Sequence, residues 1–194
     1  MILALGLLSG AANADILWDY GWTTGTAQGS WANTTSGQNF ADMVSFTNNV
    51  TVTRFVYYTD FDPSAFGTMH IKLLSDNAGV PDVVLDGQDV SVASWTNVAP
   101  NINEVNLDLN TPLNLMANTN YWIGASGNGF EAAQLSVLTP GDGLMAQFSG
   151  TSYSFMTSVG DQMFRLEGTN TVPEPASLAV LGLGALALVR RRRK

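Results

Sequence analysis

From Asp15 to Gly168 no stretch keeps apolar residues at three-and-four spacing over a dozen residues, so long amphipathic helices are not expected there. Short runs recur instead, alternating apolar and polar residues and ending in Gly, Asn, Asp or Pro. The strictest are Val50–Tyr58, Met69–Leu73, Val105–Leu109 and Met163–Glu167, with Tyr121–Ala125 as a further run. Phe40–Phe46, Val83–Val92, Gln134–Leu138 and Leu144–Phe148 are weaker versions of the same pattern. Alternation with period two buries one face of a strand and wets the other. Nine or ten such strands separated by turn signals read as an all-β, antiparallel sandwich of the jelly-roll kind. Asp76–Asp82 is the clearest turn, with Asn, Asp and Gly to supply left-handed backbone. The Asn-rich stretches 101–106 and 110–120 read as loops and strand ends.

The two ends differ from this pattern. Ile2–Leu8 is apolar and is followed by Ala12-Asn13-Ala14, the small-x-small signature of leader cleavage. Residues 1–14 are therefore read as a signal peptide cut after Ala14. With no Lys or Arg before that point, its basic start is expected upstream of Met1. At the other end Pro173-Glu174-Pro175 precedes fourteen uncharged residues, Ala176–Val189, and then Arg190, Arg191, Arg192, Arg193 and Lys194. A fourteen-residue helix extends about 21 Å, short of a hydrocarbon core of about 30 Å. The basic cluster would hold the extreme C-terminus on the cytoplasmic side. The proline pair would then stand just outside the membrane, extended and accessible to a protease. Three parts follow: leader 1–14, sandwich 15–170, and a tail 171–194 with a single hydrophobic helix.

Between leader and tail, three basic residues (Arg54, Lys72, Arg165) face fifteen acidic ones, a net charge of −12 over residues 15–172. Such a surface repels nucleic acid and anionic headgroups. These 158 residues are enough for one core without staples. The chain has no cysteine, which removes thiol nucleophiles and thiolate metal sites.

The tail resembles the PEP-CTERM sorting signal in the order of its parts: Val172-Pro173-Glu174-Pro175-Ala176-Ser177, a Leu/Ala/Gly-rich stretch, then arginines. The resemblance implies recognition and tail removal by an exosortase, a membrane protease-transpeptidase. It also implies export by a Gram-negative-type bacterium that makes exopolysaccharide, with delivery to the envelope, cell surface or biofilm matrix. A looser resemblance, carried by Gln38–Asp42, Val52–Phe55 and Leu74–Pro81, is to β-sandwich domains that precede such tails. It implies a fold and no reaction.

Chemistry is sparse in the sandwich. His70 is the sole histidine, on the strand face opposite Met69 and Ile71, and no Gly-x-Ser-x-Gly elbow supplies a nucleophile. A zinc site would need more ligands than one histidine offers. Glu104, Glu131 and Glu167 are the glutamates from which a glycosidase pair would be drawn. Arg165, two residues from Glu167, would pair with it, and Glu131 sits in an expected loop. Asp60, Asp62 and Asp76 are oxygen donors that calcium would accept, though no Asp-x-Asp-x-Asp-Gly loop frames them, so no cofactor is required and calcium is the one to test. Trp18, Tyr20 and Trp22 recur at spacing two. On an extended chain they would share a face, either a platform for sugar rings or an inner face of the core. The expected function is a non-catalytic surface or matrix protein. A carbohydrate-binding module for exopolysaccharide is the first alternative, and a glycan-active enzyme the second.

Overall fold

The computed structural model describes residues 14–22, 27–32, 37–60, 62–65, 67–127, 132–136, 145–149, 153–156 and 161–170. Fourteen strands occur among them, more than the nine or ten expected: β1 (Asp15–Asp19), β2 (Ala27–Ala32), β3 (Gln38–Val44), β4 (Val50–Thr59), β5 (Thr68–Asp76), β6 (Pro81–Ser91), β7 (Ser94–Ala99), β8 (Ile102–Leu115), β9 (Tyr121–Ser126), β10 (Ala132–Ser136), β11 (Met145–Ser149), β12 (Tyr153–Met156), β13 (Asp161–Gln162) and β14 (Phe164–Asn170). A single turn of 3₁₀ helix, Pro63–Ala65, follows β4.

A five-stranded sheet in the order β1-β14-β4-β8-β7 and a six-stranded one in the order β12-β11-β3-β9-β5-β6 form the sandwich, and β13-β10-β2 forms a small third sheet. Pairing is antiparallel between the strands of all three sheets. Alternation explains the packing. Val52, Phe55 and Tyr57 of β4, Val105 and Leu107 of β8, and Phe164 and Leu166 of β14 project inward. They meet Phe40 and Val44 of β3, Met69 and Ile71 of β5, and Ile123 of β9 in one buried cluster. Phe55 and Phe164 stack at 5.3 Å between ring centres. Each such side chain contributes about 1.5–3 kcal/mol by leaving water. Asp42 also points inward, and its buried carboxylate is met by the amides of Met43 and Gln162 at 2.8 Å each, which ties β13 to β3.

β8 departs most from expectation. The Asn-rich stretches 101–106 and 110–120, read as loops and strand ends, lie largely inside this fourteen-residue strand. Asparagine is tolerated there because its amide finds cross-strand partners: Thr51 Oγ1 donates to Asn114 Oδ1, and Asn106 Nδ2 donates to Ser94 Oγ. The register with β4 jumps from Val52↔Leu113 to Arg54↔Asp108, so residues 109–112 leave the ladder and reach the other sheet. There Gln88 of β6 donates to the Thr111 carbonyl and accepts from its amide, closing that side of the sandwich. The turn after Asp76 forms where expected, but Ala78 and Gly79 adopt the left-handed backbone, with φ of 54° and 86°. Asn77 instead exchanges backbone bonds with Val80. Gly124 sits against the Phe40 carbonyl so closely that any side chain there would force β3 and β9 apart.

The first and last described strands are neighbours. Asp15 is opposite Gly168, and Asn170 is opposite Val50, so the leader junction and the start of the tail share one pole of the domain. β4 runs ten residues from that proximal pole to Thr59, about 30 Å away at the distal pole.

Candidate functional site

The outer face of the five-stranded sheet carries a closed network of charges. Alternation puts Arg54 and Tyr58 of β4, Glu104 and Asp108 of β8, and Arg165 and Glu167 of β14 on this face. Arg165 makes a two-pronged contact with Glu104 at 3.1 Å on each arm and a second ion pair with Glu167 at 2.8 Å. Its Nη1 also donates to the Tyr58 hydroxyl, which passes its own proton toward Glu104 at 2.9 Å. Arg54 extends the network to Asp108 at 2.6 Å and to Glu167 at 3.3 Å. Burial pushes the Glu104 carboxyl up, but the hydrogen bonds from Arg165 and Tyr58 outweigh it and hold the group below its ordinary value. Burial, opposed by Arg165 and reinforced by Glu104, raises the Tyr58 phenol well above its usual range. Burial pulls the Arg165 guanidinium down, and its contacts with Glu104, Tyr58 and Glu167 more than reverse this. Both described glutamates are thus anchored to arginine.

A second arrangement occupies the distal pole. Asp60, Asp62, Pro63, Trp95, Asn97, Asn101 and Asn103 line an open cleft of about 360 Å³. Trp95 and Asn97 lie two apart on edge strand β7 and so share a face. Their partners Val105 and Asn103 continue the core-facing row of β8. At this edge the row emerges from the core, and Trp95 is 45% exposed. The Asn97 amide donates to Asn103 Oδ1 and to the Ile102 carbonyl, both at 3.2 Å, which stiffens the floor. Asn101, at φ 60°, follows Pro100 in the tight β7–β8 turn and presents an exposed amide. Asp62 Oδ1 accepts from the Ser64 amide at 2.9 Å. That backbone bond, with one from the Ser64 side chain, lowers the Asp62 carboxyl. The cleft combines one flat aromatic surface with fixed amides and carboxylates. Trp95 is absent from the sequence-based candidates, and the only signal for it was a tryptophan in a polar stretch beside Pro100-Asn101.

Of the two readings of the aromatic stripe, the inner face is the one that Trp18 and Tyr20 take, and Trp22 leaves it. Trp18 packs edge-on against Tyr20 and Phe46, at 5.1 and 5.7 Å, and both Trp18 and Tyr20 join the main core. Trp22 packs instead beside Val56 and Tyr58 on the opposite side of that sheet. The cause is the backbone: β1 ends at Asp19, so the spacing of two that keeps Trp18 and Tyr20 together does not carry on to Trp22. The calcium candidates do not converge either. Asp60 and Asp62 are at the distal pole, whereas Asp76 is at the proximal one, where it accepts from the Gly79 amide and from Trp122 Nε1 at 2.9 Å. Among the described residues no three His, Asp or Glu side chains group as metal ligands.

His70 faces Asp89 on β6 at 2.9 Å, as a partly exposed pair. Lys72, on the same face, is buried between the Asn39 side-chain Oδ1, to which it donates, and the Phe148 ring. Burial lowers its ammonium to about 8. The leader residue Ala12, Glu131, the motif Pro173-Glu174-Pro175, the apolar stretch with its expected helix, and Arg190–Lys194 lie outside the described residues.

Taken together, the described chain is an antiparallel β-sandwich with both ends at one pole and an open polar cleft at the other. Residues 171–194 match the PEP-CTERM protein-sorting motif. The chain therefore carries an exosortase sorting signal and is an exported, membrane-passing protein destined for the cell surface. No curated protein and no solved structure gives a significant match to it.

Proposed function

We propose that the sandwich is a non-catalytic interaction module displayed at the cell envelope or in the extracellular matrix, held by its proximal pole and presenting its distal pole. The observation that carries this reading is the adjacency of Asp15 and Gly168, which brings the leader junction and the sorting tail to one end. A domain tethered there turns its other end, with the cleft, away from the membrane. The absence of catalysis is supported by the Arg165 network, which engages Glu167 in an ion pair and favours the charged form of Glu104 over the protonated acid that glycoside hydrolysis needs. Exopolysaccharide as the partner is a second reading, favoured by the exposed Trp95 in the cleft.

The test uses the full chain in an exosortase-bearing host that makes exopolysaccharide. Intact mass of surface-exposed protein is expected to show loss of everything beyond about Pro175, and a matched host lacking the exosortase is expected to retain the tail. Surface material still ending at Lys194 would overturn the sorting part. New reducing ends released from polysaccharide by the purified protein would overturn the non-catalytic part.

A further inference from the structure

Sugar rings bind proteins through two complementary surfaces. Their axial C–H faces stack on flat aromatics, and their rims of hydroxyls exchange hydrogen bonds with planar amides and carboxylates. The distal cleft offers both. Trp95 supplies a half-exposed indole on a strand, a rigid element that costs little to order. Asn101 and Asp62 line the same cleft from two separate turns. The Asn97–Asn103 hydrogen bond holds the floor in place before any ligand arrives.

Charge then narrows the ligand. Asp60 and Asp62 line the same cleft as Trp95, and residues 15–172 carry a net charge of −12. A uronate or sulfated polymer would bring like charge against both, which costs affinity and slows encounter. An uncharged glycan meets no such penalty, and its hydroxyls donate well to carboxylates. A proline-rich peptide is a poorer match, because grooves for that conformation are lined by several aromatic side chains, and Trp95 is the one aromatic among the described residues of this cleft.

We propose that the distal cleft binds a neutral polysaccharide, with one pyranose ring stacked on Trp95 and its hydroxyl rim held by Asn101 and Asp62. This rests on the interaction-module reading and adds to it a site and a ligand class. The geometry suits recognition of a few sugar units along a chain, since the cleft is open rather than enclosed.

The experiment titrates the full chain with dextran, mannan and cellohexaose as neutral probes and with alginate as the acidic probe, at moderate salt. Tryptophan fluorescence and retention in affinity gels provide the readouts. At least one neutral probe is expected to bind and alginate is not. Trp95→Ala is expected to weaken that binding about tenfold, and Trp95→Phe or Asp62→Asn about threefold. Each variant's thermal midpoint is measured alongside, so that loss of binding is read only on folded protein. Preferential binding of alginate, or neutral binding unchanged in Trp95→Ala, overturns the proposal. So does a proline-rich peptide that binds where no glycan does. Extracted matrix polysaccharide retained equally by wild-type and Trp95→Ala protein would leave the interaction module standing and remove this site. Retention of neither matrix nor any probe would remove both.

Discussion

The outer face of the five-stranded sheet and the cleft at its distal end use the same residue types to opposite ends. On the face, Glu104, Glu167 and Asp108 are each met by a guanidinium, and Tyr58 is enclosed between Arg165 and Glu104. In the cleft, Asp60 and Asp62 sit beside amides and an exposed indole, with no arginine or lysine among the described lining residues. A charge drawn into a network ties three strands together and is worth stability. An exposed one such as Asp62, bonded within its own turn to Ser64, contributes little to folding.

The comparison breaks most visibly at Arg165. Arg165→Met strands Glu104 on a half-buried face and leaves Glu167 only its longer contact with Arg54, and unfolding in urea is expected to show a loss of about 2–3 kcal/mol, because the orphaned Glu104 carboxylate keeps its desolvation cost. For a domain of this size that lowers the thermal midpoint by roughly 5–10 °C. A loss under about 1 kcal/mol would show that the network is only surface decoration.

Lys72 sharpens the contrast from the other sheet, since it is buried beside a neutral amide and a ring. Its folded value of about 8 lies below the unfolded 10.5, so the unfolded chain binds more protons between those values. Stability is therefore expected to rise as pH increases from about 8 toward 10, the penalty being complete below that window. Near pH 10 the raised Tyr58 begins to act in the opposite direction, because the unfolded phenol ionises first. Lys72→Met is expected to stabilise the protein at pH 7 by on the order of 2 kcal/mol and to flatten this rise, as followed by urea midpoints across pH.

Glu104 gives a smaller effect at the acidic end. Its folded carboxyl lies below the unfolded value, so the stability it contributes is present above the unfolded value and is lost as pH falls through the folded one. Glu104→Gln should remove part of that acid-side slope and cost about 1 kcal/mol at pH 7. Trp95→Ala is expected to change stability least, by under about 0.5–1 kcal/mol, since its ring is already half in water. A larger loss would make Trp95 a packing residue and weaken the case for the cleft.

Much of the sandwich was legible in the alternation. Phe55, Tyr57, Val105 and Leu107 face inward as period two requires, and the Arg165–Glu167 pair follows from residues two apart on one strand. The rest depends on contacts that pattern does not encode. Glu104 and Tyr58 reach Arg165 across separations of 61 and 107 residues, and no local signal announces such a meeting. Trp95 lies on an edge strand, where half-wet residues blur the alternation, and its cleft joins the corner after β4 to the turn before β8. The stripe of Trp18, Tyr20 and Trp22 held as an inner face for its first two members and failed at Trp22, because β1 ends at Asp19 and the parity stops with it.

Pairing the first strand with the last also orders events during secretion. β14 cannot complete its sheet until nearly the whole chain has crossed, and β1 must wait for it, so the sheet closes late through its most distant contacts. On the proposed route a tail held at the membrane would keep β14 at that surface during the wait. Cutting it afterwards would release a body already zipped shut at the point where it was held.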